Sequence, residues 1–149
     1  MKNGPVVVLG LGNVLLQDDG VGVHAAWALM REPPVGCEVI EVGTASLSTL
    51  DDIERAGRVI AIDAVETGHA PGTVVRFKLD EGARPGASSL HDLVIAGVLS
   101  LLPPAARPPV VVLGVVPERI ATGLELSETV SAALPRLLDA VRAEVTRRP

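Results

Sequence analysis

Aromatic side chains are nearly missing from this sequence: one Trp27, one Phe77 and no tyrosine among 149 residues. Nucleic-acid binders stack bases on aromatic faces and neutralise phosphates with cations. Neither resource is present, because 18 acidic residues outweigh 13 basic ones and the net charge is −5. Nucleic acid is therefore not an expected partner. Cysteine is equally scarce. Cys37 stands alone, which excludes an internal disulfide and any Cys-x-x-Cys grip on zinc or a cluster, and a reducing cytoplasm is the expected setting. No stretch approaches the roughly 18–20 apolar residues of a membrane span. The apolar run behind Lys2 is broken by Gly10, Gly12 and Asn13, then meets Gln17-Asp18-Asp19 with no small-residue cleavage site. It reads as a buried strand rather than a signal peptide.

What the chain does have is aliphatic mass. Residues counted as hydrophobic make up 48%, and they are overwhelmingly Val, Leu, Ile and Ala. Valine-rich runs of this kind are typical of strands covered on both faces. At this length one domain with a single sizeable core is expected, residues 1–149 forming one unit.

The run at 5–10 predicts a first strand closed by glycines, and 21–31 a first helix stopped by Pro33-Pro34. Alternation at 38–42 predicts a second strand. Ser46 is placed to cap a helix over 47–55 that ends at Gly57. Residues 58–63 form a third strand finishing on Asp63, and 73–79 a fourth. The segment joining them holds Gly68, Pro71 and Gly72 and is too short for a parallel crossover. The fourth strand is therefore expected to run antiparallel, at an edge. A polar loop at 80–89 leads to a helix over 90–102 capped by Ser88 or Ser89, then a fifth strand at 110–116. A long helix over 128–148 follows, with a kink expected at Pro135. The sum is an α/β three-layer sandwich with a five-stranded mixed sheet in the order 2-1-3-5-4.

In a doubly wound sheet ordered 2-1-3, ligands bind at the carboxyl edge between the first and third strands. Asp18-Asp19 follow the first strand and Asp63 closes the third, so both acidic features fall there. One of the Asp18-Asp19 pair is expected to serve the helix start through the dipole, leaving the other for chemistry. His91 follows by topology: a fifth strand parallel to the first must begin at the lower edge, so the preceding helix must begin at the upper one. Two carboxylates and an imidazole suit a divalent transition metal with open positions, nickel included.

Weaker candidates are His24 and His69, read as structural or solvent-facing, and Cys37, read as a buried small hydrophobe. Gly10-x-Gly12 partly matches a dinucleotide fingerprint, with Glu41 at the end of the second strand, but Leu15 stands in place of the third glycine. A non-enzymatic nucleotide- or nickel-binding module therefore remains the alternative. No Gly-x-Ser-x-Gly elbow is present.

The segment from Leu9 to Gly22, with Gly43-Thr44-Ala45, Ile62-Asp63-Ala64, Ala70-Pro71-Gly72-Thr73, Ser89-Leu90-His91 and the run from Gly114 to Glu118, resembles the hydrogenase maturation protease family in order and over nearly the whole chain. The resemblance implies a three-layer α/β/α fold and an endopeptidase that trims the C-terminal extension from a nickel-iron hydrogenase large-subunit precursor. By that resemblance Asp19, Asp63 and His91 are the metal-binding and catalytic residues. The nickel is the substrate's own, so the protease senses that nickel has been inserted, then cuts after a basic residue near the last metal-binding cysteine motif. Asp19 stands where the family carries Glu or Asp, and Gly97 where relatives often carry an acid. Asp19 with Asp63 is also readable as an aspartic dyad sharing one proton.

Overall fold

The computed structural model describes residues 3–79 and 90–148; the side chains of residue 46 and residues 90–94 lie outside that description. Five strands form one sheet: β1 (Val6–Leu11), β2 (Cys37–Gly43), β3 (Arg58–Ala64), β4 (Val74–Lys78) and β5 (Val110–Val115). Their order is β2-β1-β3-β5-β4. The first four in that order are parallel, and β4 joins β5 antiparallel at the edge. The expectation drawn from the short connection after Asp63 holds.

Alternation along the central strands divides the aliphatic residues between two cores. Val7, Leu9, Val59, Ala61 and Val112 face one side with Ile53 of α2 (Leu50–Arg55) and with Ile95, Val98 and Leu99 of α3 (Leu90–Ser100). Val8, Ile60, Ile62, Val111 and Leu113 face the other with α1 (Val21–Arg31) and α4 (Glu128–Thr146). Each Leu or Ile buried this way contributes about 1.5–3 kcal/mol, so two such layers replace the missing aromatics.

Glycine permits the closest of these contacts. A Cβ on Gly22 would overlap the carbonyl oxygens of Ile62 and Leu11, so α1 lies on the sheet at backbone distance only because residue 22 has no side chain.

The second helix departs from its expected form. Residues Ser46–Thr49 form a 3-10 turn before the short α2, and Ala45 rather than Ser46 occupies the N-cap position. Leu47, the first residue of the expected helix, is 66% exposed. A 3-10 turn starts its hydrogen bonding one residue sooner than an α-helix, which shifts the facing of the first residues. Pro135, where a kink is expected, lies inside α4. The loop at 80–89 and its capping serines lie outside the described residues.

Candidate functional site

The loop after β1 is shaped by Gly12 and Asn13. Gly12 has φ +122°, and a Cβ there would collide with the Asp19 carbonyl oxygen. Its N–H donates to the Gly43 carbonyl at 3.0 Å, which ties the end of β1 to the end of β2. The Asn13 side-chain carbonyl accepts from the Leu15 N–H at 2.9 Å, and the Leu16 N–H reaches the Asn13 carbonyl at 3.1 Å. Gln17 then adopts φ +52°, the only positive φ at a non-glycine among the described residues. A left-handed conformation at such a residue costs of order 1 kcal/mol and persists where surrounding contacts enforce it. Here the Gln17 N–H is held by the Gly123 carbonyl at 3.0 Å.

The 3-10 turn Gln17–Gly20 carries both acids. Asp18 is fully buried. It precedes α1 as expected, but its partners are elsewhere: its carboxylate accepts from the Glu118 N–H (3.0 Å), the Arg119 N–H (2.8 Å), the Ser127 N–H (2.7 Å) and the Ser127 hydroxyl (2.8 Å). No side chain caps α1, whose N-cap is Gly20. Sequence reasoning gave one of the pair a dipole role, because the partners lie some hundred residues away. Nothing near Asp18 signals them.

Asp19 is half-buried, and its carboxylate accepts the Asn13 N–H at 3.0 Å. Its turn packs against β3, the strand whose end carries Asp63. Asp63 is fully buried and accepts the Ala64 N–H at 2.8 Å. Alternation puts it on the sheet face shared by Val59 and Ala61, the face covered by α3. His91 is the second residue of α3, and its side chain lies outside the described residues. The helix precedes the parallel strand β5, as the topological argument for His91 requires. Among the described residues, no three His, Cys, Asp or Glu side chains are arranged to hold a metal.

The weaker candidates resolve locally. His69 is exposed, its ring Nδ1 2.8 Å from the Thr67 hydroxyl. His24 stands edge-on to Trp27 with ring centroids 5.1 Å apart; its Nε2 is buried without a hydrogen bond, and burial lowers its pKa, partly countered by the Leu124 backbone. Cys37 is half-buried rather than fully buried, 3.5 Å from the Pro34 carbonyl, and burial pushes its thiol up. Glu41 is exposed. A Cβ at Gly97 would meet nothing within 4 Å among the described residues.

A family model described as hydrogenase maturation protease matches residues 23–144, a span that contains Asp63 and His91 and begins just past Asp19. The chain is 33% identical over 145 residues to the hydrogenase 2 maturation protease of Escherichia coli K12, covering 93% of this chain and 88% of the relative. Its fold superposes on the hydrogenase maturating endopeptidase HybD from E. coli with a TM-score of 0.82 at 30% identity, over 97% of this chain and 92% of the other. It superposes equally, at 0.82 and 28% identity, on the [NiFe] hydrogenase maturation protease HybD from Thermococcus kodakarensis, over 98% of this chain and all of that one.

Proposed function

This chain belongs to the hydrogenase maturation protease family, and from that premise we propose that it removes the C-terminal extension of a nickel-iron hydrogenase large-subunit precursor once nickel is in place. It is a peptidase. In this reading the substrate's nickel is the recognition element, and Asp19, Asp63 and His91 complete its coordination from the protease side. The observation that carries the reading is the packing of the Asp19 turn against β3, which ends in Asp63.

The donor set is chemically apt. Two carboxylates and an imidazole match the oxygen and nitrogen preference of a divalent nickel centre, whose remaining positions the precursor's own ligands fill. The Asn13 N–H directs the Asp19 carboxylate and the Ala64 N–H directs that of Asp63. Carboxylates each fixed by a backbone amide suit metal ligands better than two acids sharing one proton. Metal-assisted hydrolysis is therefore the mode we favour over an aspartic dyad. Gripping the metal fixes the adjoining peptide in the site, and such positioning lowers a barrier by several kcal/mol.

Among the described residues no helix is long and apolar enough to cross a membrane. We place the reaction in the cytoplasm, where an unpaired Cys37 persists as a thiol.

The test is to incubate the protein with nickel-loaded and nickel-free precursor and follow the C-terminal mass. Release of the extension from the loaded form alone is expected. Equal cleavage of both forms would refute nickel sensing.

A further inference from the structure

Resting on the assignment of Asp19 as a nickel-facing carboxylate, we propose that Asp18 is the positioning residue that aims it, with Ser127 as its principal anchor. The observation is a carboxylate with no exposure and four donors. The Glu118 N–H, the Arg119 N–H and the Ser127 hydroxyl converge on Oδ2, and the Ser127 N–H meets Oδ1. Main-chain bonds run alongside: Asp18 N–H to the Arg119 carbonyl at 3.1 Å, and Gly123 N–H to the Leu15 carbonyl at 2.9 Å. The turn after β1 is thereby fastened to the segment after β5.

Direction follows from helical geometry. In a 3-10 turn there are about three residues per revolution, so successive side chains diverge by about 120°. Locking Asp18 into the interior turns Asp19 about 120° away from it, where its carboxylate accepts the Asn13 N–H. The charge itself matters. A buried carboxylate is tolerated when charge-assisted hydrogen bonds replace its hydration, and a carboxylate accepts on both oxygens. Asparagine accepts on one only and turns an N–H₂ group toward donors. Ser127 is equally specific: its hydroxyl donates to Asp18 and accepts the Val130 N–H at 3.3 Å, so one side chain both caps α4 and holds the turn.

The experiment compares Asp18→Asn, Ser127→Ala and Ser127→Thr at a temperature where circular dichroism finds each variant fully folded. It reads kcat and KM on nickel-loaded precursor, and the amide proton resonance of Asn13, which reports where the Asp19 carboxylate sits. A misplacement of about 1 Å costs on the order of 100-fold. Asp18→Asn is expected to lower kcat about 10- to 100-fold with little change in KM, and to shift the Asn13 resonance. Ser127→Ala should do the same more weakly, and Ser127→Thr should restore both readouts. Folded Asp18→Asn with normal kcat and an unshifted Asn13 amide overturns the proposal. If Asp18→Asn does not fold, Ser127→Ala decides by the same two readouts, since it keeps the charge. Full activity in Asp19→Asn would instead defeat the assignment of Asp19, while the Asn13 amide would still report whether Asp18 orients its neighbour.

Discussion

Arg76 on the edge strand grips Glu144 near the end of the last helix with two parallel hydrogen bonds, Nε to Oε2 at 2.9 Å and the terminal nitrogen to Oε1 at 3.1 Å. The Glu144 side chain is 2% exposed, and Arg58 and Arg147 approach it at 3.8 and 3.3 Å. One buried anion thus fastens β4, the start of β3 and the end of α4 together. The hydrogen bond from Arg76, against the opposing cost of burial, holds its carboxyl below its ordinary 4.5.

Replacing Glu144 by Ala should destabilise the fold by about 2–3 kcal/mol, since Arg58 is left nearly buried without its counter-charge while Arg76 and Arg147 can turn to water. Because the folded pKa is depressed, this stability is complete above pH 4.5 and disappears as pH falls through the folded value. Urea unfolding at pH 7 and at progressively lower pH should give wild-type and Glu144→Ala curves that converge in acid. Curves that stay parallel would remove the ion pair from the account.

Asp19→Asn and Asp63→Asn should each abolish nickel-dependent processing by about 100-fold or more, because an amide is a far poorer nickel ligand than a carboxylate. Far-UV circular dichroism should be unchanged. Processing assays by mass spectrometry, with the variants checked for folding, distinguish loss of chemistry from loss of structure.

Gly97→Ala should stabilise the protein by about 0.5–1 kcal/mol, the ordinary gain from replacing a mid-helix glycine. Its Cβ would meet nothing within 4 Å among the described residues, so none of these opposes the gain. A rise in Tm of roughly 1–4 °C is the expected reading; a fall would mean that another group needs that space.

Gly22→Ala has the opposite sign. The new methyl would overlap two strand carbonyls, Ile62 and Leu11, and a rigid backbone cannot step aside as a side chain can. Lifting α1 off the sheet exposes Val21, Ala25 and Leu29, at a cost of about 3 kcal/mol or more. Thermal unfolding and soluble yield would both fall.

The architecture was legible because local rules and global topology agree. The brevity of the link after Asp63 dictated an antiparallel edge strand, and the valine runs identified the strands buried on both faces. Helix α1 was placed at its observed limits because Pro33-Pro34 stop it. At the candidate site, the Asp18-Asp19 pair and Asp63 were singled out by their place at strand ends, and the resemblance chose Asp19 of the pair. Asp18 was not understood, because its donors come from Glu118, Arg119 and Ser127, and no periodicity links positions so far apart. Ser46 misled for a related reason: a serine before an apolar run promises a cap, yet the chain made a 3-10 turn there with Ser48 donating to the Ala45 carbonyl at 2.6 Å.

The bond between Asp18 and Ser127 joins positions separated by 109 residues. A nascent chain emerging from the ribosome has already exposed its acidic turn long before the serine that immobilises it has been translated. On the role proposed for Asp18, the acidic turn cannot be fixed for cutting before residue 127 has been made, and a product lacking Ser127 would carry the acids without the proposed means to aim them.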